Sequence, residues 1–149
     1  MHSLMSYVVR QLGRSDYLRI LALWETAGLH FKPKGRDTRE AFEAQLASGV
    51  QTVLGVEDAA GELVGTVIAT HDSRRGWINR VAVHPAHRRQ GIARRLIAAA
   101  EDVLHEQGIH IIAALIEPDN GASLALFEAA EYIEWPGLHY MSKRDSDDV

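Results

Sequence analysis

Val81 to Leu96 reads V-A-V-H-P-A-H-R-R-Q-G-I-A-R-R-L. A β-rich run from Trp77 reaches Val83 and is ended by Pro85, which has no N–H for a ladder. Beyond a basic turn, Ile92, Leu96, Ala99, Val103 and Leu104 recur at helical spacing, so a helix is expected from Gly91 to Gln107, closed by Gly108. The first N–H groups of such a helix have no intrahelical partner and carry the positive end of its dipole, so they attract phosphate. Gly91 lets a diphosphate approach the backbone closely, Ala93 is the next smallest choice, and Arg88 and Arg89 add donors and charge. A glycine beside basic residues is also an ordinary helix start, so the turn alone does not name a ligand. G-x-x-x-x-G-K and G-x-G-x-x-G are both missing, which excludes a P-loop and a dinucleotide fingerprint.

Working outward, Ser6 to Leu12 alternates weakly and reads as an opening strand. Ser15 or Asp16 caps a helix carrying Leu18, Leu21, Leu23 and Trp24, and Gly28 stops it. Phe31 to Asp37, F-K-P-K-G-R-D, is a basic loop; Asp37 or Thr38 then caps a second helix bearing Phe42 and Leu46, which ends at Gly49. Gln51 to Glu57 and Leu63 to Thr70 form a hairpin around D-A-A-G-E, Asp58 to Glu62. After the long helix, Ile109 to Ile116 is nearly all apolar and reads as a strand covered on both faces. Asn120 to Ala130 is a short helix, and the last strands are expected within Tyr132 to Met141. The order β-α-α-β-β-β-α-β-α-β-β makes an antiparallel meander leading into a parallel β-α-β crossover.

The chain has 149 residues, which suits one domain over 1–149, with 143–149 expected to fray. No apolar run approaches the roughly 20 residues that cross a bilayer, so no membrane partner is expected. Met1 to Arg10 shows no secretory signal. Cysteine is absent, which excludes disulfides, thiolate metal sites and a cysteine nucleophile, and a cytoplasmic location is expected. The net charge of −4 disfavours nucleic acid. Arg88, Arg89, Arg94 and Arg95 nevertheless cluster, which suits a small anionic ligand better than a polyanion.

Arg88-x-x-Gly91-x-Ala93, on a V-x-V-x-P strand end and ahead of an amphipathic helix, resembles the R/Q-x-x-G-x-G/A motif of the GNAT superfamily of acetyltransferases. A second block, I-E-P-D-N-G-A-S-L-A-L-F-E-A-A-E-Y from Ile116 to Tyr132, is similar to that superfamily's N-x-x-A/S-x-x-L-Y/F-E-x-x-G-F/Y segment. It matches at Asn120, Ser123, Leu126, Phe127, Glu128 and Tyr132. The stretches L-W-E-T-A-G-L and V-G-T-V, Val64 to Val67, also resemble small bacterial members.

The resemblance implies an α/β protein: a mixed, mostly antiparallel sheet with a parallel β-α-β cofactor-binding core, flanked by helices. It implies acetyl-CoA as cosubstrate. The backbone of Val81, Ala82 and Val83 would bond the pantetheine amides, and the amides of Arg88, Arg89, Gln90, Gly91, Ile92 and Ala93 the diphosphate. The thioester would lie where the strands Trp77–Val83 and Ile109–Glu117 splay apart. Phe127 joins the cofactor set, as does Asn120, which matches an asparagine that touches the cofactor arm; asparagine is equally a good N-cap.

Acetyl transfer from a thioester needs little covalent help, because the leaving thiol has a pKa of roughly 8.5 and departs readily. With no cysteine, direct attack by a neutral primary amine in a ternary complex is the simplest path, and a backbone N–H near Val83 is the oxyanion donor that the resemblance implies. Many relatives carry a glutamate or histidine on the strand where this chain has Trp77 and Asn79, a tyrosine acid where it has Phe127, and a glycine where it has Glu131. Glu117, at the end of the apolar strand, is then the candidate base, or else a plain solvated carboxylate. Tyr140 is a substitute acid only if the last strand brings it to the thiol. His84 and His87 are spaced H-x-x-H without a clustered carboxylate, so no metal site is expected. The acceptor stays open between a small-molecule and a protein amine. Phe31 to Asp37 is expected to wall it, with Lys32, Lys34 and Arg36 either hinting at an acidic acceptor or merely solvated. A homodimer is an expectation on general grounds. The alternative to an enzyme is a non-catalytic acyl-CoA-binding or sensing domain.

Overall fold

A computed structural model describes residues 6–149. The first half of the Met1–Arg10 stretch, read above as free of a secretory signal, lies outside the described residues. Five strands form one sheet in the order β1-β2-β3-β4-β5: β1 Val8–Leu12, β2 Gln51–Glu57, β3 Leu63–His71, β4 Gly76–Val83 and β5 Ile112–Ala113. The first four pair antiparallel and β5 joins β4 in parallel, as the expected meander and crossover require. Helices α1 Tyr17–Ala27, α2 Arg39–Ala47, α3 Ile92–Glu106 and α4 Gly121–Ala129 flank the sheet.

Both faces of β2 and β3 are covered, so these strands read as nearly continuous apolar runs. One face packs against α3 through Ile92, Leu96, Ile97, Ala100 and Leu104, a stripe at helical spacing. The other face packs Leu12, Val53 and Ile68 against Tyr17, Ile20, Leu23 and Trp24 of α1 and Phe42 of α2. Of the apolar residues read on α1, Leu23 and Trp24 are buried with Tyr17 and Ile20, whereas Leu18 is 68% exposed. Gly65 on β3 explains how closely α3 approaches. A Cβ there would stand 2.8 Å from Ile92 Cγ2, so only glycine lets the first turn of α3 lie on the strand beside the end of β4.

The caps differ from one helix to the next. Thr38, not Asp37, caps α2 by accepting the Ala41 N–H (3.1 Å). Asp16 makes no cap to α1; its carboxylate takes the Gly13 N–H (2.8 Å) and pairs with Arg10 and Arg19.

Two expectations fail at the C-terminal side. The strand expected over Ile109 to Ile116 is only Ile112–Ala113, and Ile111 and Leu115 are exposed. No strand forms within Tyr132 to Met141, where Ile133, Trp135 (73% exposed), Leu138, Tyr140 and Met141 face solvent. Both fall at the same edge: β5 is the last strand of the sheet, and no further strand pairs with it among the described residues. Residues 143–149 are exposed and touch the loop before α2. Lys32 Nζ donates to the Asp147 carbonyl (2.7 Å), and the backbone of Asp148 lies so close to Gly35 that a Cβ there would be 2.2 Å from its oxygen.

Candidate active site

Strand β4 and helix α3 meet as the sequence predicts. Pro85–His87 makes one 3-10 turn after β4, with the His84 ring accepting the Ala86 N–H (3.0 Å). Arg89 and Gly91 then take left-handed backbone conformations, with φ of +64° and +76°. Alternating backbone handedness curls successive N–H groups into a concavity that suits an anion. Gly91 offers no side-chain cap to α3, and the first helical bond runs from the Arg95 N–H to the Gly91 carbonyl (3.1 Å). The N–H groups of Ile92, Ala93 and Arg94 therefore precede the helical ladder. By contrast, Asn120 caps α4 by accepting the Ser123 N–H (3.1 Å). Both roles considered for Asn120 are geometrically open, since it also lines the cleft described next.

A cleft of about 1230 Å³ runs from this turn across the sheet. Val81, Ala82 and Val83 line it on β4, and Ala114, Ile116 and Glu117 line it beyond β5. The two strands pair only at Gly76–Ile112 and Trp77–Ala113, so they have separated by Val83, as the splay requires. Arg88, Arg89, Gly91, Ile92 and Ala93 line the cleft at this turn, and Phe127, buried, lines it too; Gln90, expected with them, does not. The Arg88 side chain is drawn to the C-terminal end of α1, donating to the Ala27 carbonyl (3.3 Å).

The proton-transfer candidates fare unequally. Glu117 lines the cleft and is exposed, which fits the solvated carboxylate of its two readings and leaves the base role without the support of burial. Tyr140 is 68% exposed and does not line the cleft, because the strand meant to carry it inward does not form. Tyr132 packs edge-on against Phe127 and donates to Glu101 (2.7 Å); burial first, then that bond and the neighbouring charge, holds its proton well above the usual phenol range. Phe127 cannot donate.

Two cleft residues, His30 and Arg80, are not marked by the sequence. Asp37, the last residue of the loop expected to wall the acceptor, also lines the cleft and forms an ion pair with Arg80: Arg80 Nη2 donates to Asp37 Oδ2 (2.9 Å), and Nη1 donates to Oδ1. No local signal marks this pair, because its partners are distant in sequence. His87 shares a hydrogen bond with the Tyr7 hydroxyl (2.9 Å). Among the described residues no helix is long and apolar enough to cross a membrane.

Residues 16–132 match the profile of the Acetyltransferase (GNAT) family. The chain is 33% identical over 124 residues to acetyltransferase plu1384 of Photorhabdus laumondii, covering 83% of this chain and 85% of the relative. It is 30% identical over 140 residues to acetyltransferase SG1711 of Sodalis glossinidius, covering 94% and 96%. The aminoglycoside acetyltransferase AAC(6')-Iy, solved with a CoA-containing bisubstrate analogue, shares the fold with a TM-score of 0.78 at 20% identity, over 93% of this chain and 98% of that one. A strand end, an uncapped helix start and splayed parallel strands, set in this family's sequence, define an acyltransferase: the chain belongs to the GNAT acetyltransferase family.

Proposed function

We propose that the protein transfers the acetyl group of acetyl-CoA to a primary amine by direct attack within a ternary complex. The observation that carries this reading is the continuity of one cleft from the left-handed turn at Arg89 and Gly91, past the end of β4, to the gap between β4 and β5. In this reading the diphosphate rests on the amides from Arg88 to Ala93, with Arg89 and Arg94 supplying charge from the rim. The pantetheine arm follows Val81 to Val83, with Asn120 and Phe127 on its other side. A backbone N–H near Val83 faces the oxyanion as the amine attacks the thioester carbonyl and the C–S bond breaks.

Proton handling is light. The thiol leaves as thiolate at a pKa near ~8.5 and takes its proton from water, so no tyrosine is required. The amine must shed a proton before attack. Glu117, open to both solvent and cleft, accepts it or passes it through water. Holding both reactants in one cleft supplies several of the roughly 7–11 kcal/mol that orientation contributes. The acceptor enters between the loop Phe31–Asp37 and β4, where Asn79, Thr70 and Gln51 offer neutral polar groups. The structural relative with a bound bisubstrate analogue acts on a small-molecule amine by its own name, which supports an acceptor of that size here.

Free-thiol release from acetyl-CoA, measured across amino acids, polyamines, aminoglycosides and lysine peptides, tests the reading. Release with at least one amine is expected. Saturable cofactor binding with no release across the panel would favour a binding domain instead.

A further inference from the structure

Arg80 sits at a break in β4. Three β4 steps, Asn79 to Ala82, oppose two β3 steps, Thr66 to Ile68, so the strand carries an extra residue at this point. Arg80 itself takes φ +53°, a left-handed conformation that an arginine holds only when its surroundings impose it. The next three residues are Val81 to Val83, the backbone that the proposed function sets beside the thioester.

Its surroundings do impose it. The guanidinium meets both carboxylate oxygens of Asp37 and lies 4.7 Å over the centre of the Trp24 ring, and the pair is nearly buried, with side chains 15% and 8% exposed. Each partner is anchored in turn. Trp24 Nε1 donates to Thr66 Oγ1 (3.1 Å), and Thr66 is the residue opposite Ala82, at the edge of the bulge. Asp37 Oδ2 accepts the Lys32 N–H (2.6 Å), and the Asp37 carbonyl accepts the Tyr17 hydroxyl (2.6 Å). A buried ion pair is weak evidence of stability, because desolvation opposes the attraction; what a two-point pair fixes well is geometry.

We propose that Arg80, held by Asp37 and Trp24, is a positioning residue that keeps the β4 bulge aimed at the thioester and ties the acceptor loop Lys32–Asp37 to that aim. One side chain thus links the two reactant sites: its backbone conformation orients the segment on which the acyl carbonyl rests, and its guanidinium seats the wall against which the amine packs. The inference rests on the acetyl-transfer reading, and the two fail differently.

The test compares Arg80→Ala, Arg80→Gly and Asp37→Asn with the wild type. The probe is acetyl-CoA with whichever panel amine gives the wild type its fastest thiol release; CoA affinity is read by calorimetry and the acceptor parameters by steady-state kinetics. CoA affinity is expected to stay within about twofold in all three, because the helix-start cradle is untouched. Arg80→Ala is expected to lower kcat about tenfold or more, since small displacements of a positioned group cost that much or more. Glycine takes the left-handed conformation unaided, so Arg80→Gly is expected to recover most of that kcat while the acceptor KM stays raised. Asp37→Asn, which keeps the side-chain shape, is expected to raise the acceptor KM about fivefold or more by loosening the loop. Equal kcat in the alanine and glycine variants, or an unchanged acceptor KM in Asp37→Asn, overturns the proposal and leaves acetyl transfer standing. If Arg80→Ala does not fold, a folded glycine variant whose kcat falls about tenfold or more below the wild type overturns it equally. A folded wild type that releases no thiol with any amine overturns the parent reading and this one with it.

Discussion

The Tyr7 hydroxyl and the His87 Nδ1 lie 2.9 Å apart, 80 residues apart in sequence. This bond ties the chain just before β1 to the turn between β4 and α3, where the proposed diphosphate site begins. The same residue's carbonyl accepts Arg95 Nη1 (3.2 Å), so Tyr7 grips both the turn and the first turns of α3. Tyr7→Phe removes the first grip and keeps the packing. A single neutral hydrogen bond contributes about 1 kcal/mol, so CoA affinity is expected to fall roughly fivefold. Calorimetry checks this; an unchanged affinity would mean that the turn holds its shape without Tyr7.

Acid stability should depend on an ion-pair cluster shared by β1, β2 and the start of α1. Asp16 and Glu57 share Arg10 and Arg19. Burial pushes the Asp16 carboxyl up, but the Gly13 N–H and the two guanidiniums outweigh it, so its pKa lies below the ordinary 3.8. The Arg19 hydrogen bond leads in lowering Glu57 below 4.5, against a smaller effect of burial. Carboxyls depressed in the folded state contribute stability that is complete above their unfolded pKa and is lost as pH falls through the folded value. Urea unfolding should therefore be insensitive to pH above about 5 from these groups and weaken below it. Asp16→Asn should cost about 1.5–3 kcal/mol at pH 7 and less at pH 3. The same loss at both values would refute the assignment.

Glu131 holds φ +72° directly after α4, where the family segment has glycine. The turn forms regardless, at the cost of a left-handed non-glycine residue. Glu131→Gly removes roughly 1–2 kcal/mol of steric strain and returns part of it as unfolded-chain entropy. A net gain of about 0.5–1 kcal/mol is expected, visible as a rise of a few degrees in Tm. A lower Tm would show that Glu131 has a favourable role of its own.

Proton transfer separates the candidate base Glu117 from the conditional acid Tyr140. Glu117→Gln should slow thiol release by roughly 10- to 100-fold with the amine left mostly protonated, and raising the pH should recover part of the rate. Tyr140→Phe should change nothing, since Tyr140 does not line the cleft. A large effect of Tyr140→Phe would require the C-terminal segment to enter the site.

What could be read from the sequence was what local chemistry controls. The hairpin, the helix stops at Gly28 and Gly108, and above all the β4–α3 turn follow from glycine, proline and apolar spacing over a few residues. The helix over Asn120 to Ala130 was legible for the same reason, its cap being a short-range bond. The C-terminal strands were not, because aromatic and branched residues in Tyr132 to Met141 permit a strand without providing an edge for it to pair with. The pairing of Arg80 with Asp37 was invisible in another way. It exists only once β4 bulges and the acceptor loop folds across it, 43 residues away in the chain. Glu117 lines the cleft, but whether it is buried or solvated was open in the sequence, because its apolar neighbours Ile111 and Leu115 are themselves exposed.

The central claim is that the uncapped start of α3 holds the cofactor's diphosphate. Calorimetric titration of acetyl-CoA into folded wild type and into Gly91→Glu tests it most directly, with circular dichroism confirming that both are folded. Saturable heat is predicted for the wild type and none for the variant, in which a carboxylate fills the space the diphosphate needs. No heat from the wild type, or equal affinity in the two, would contradict the account.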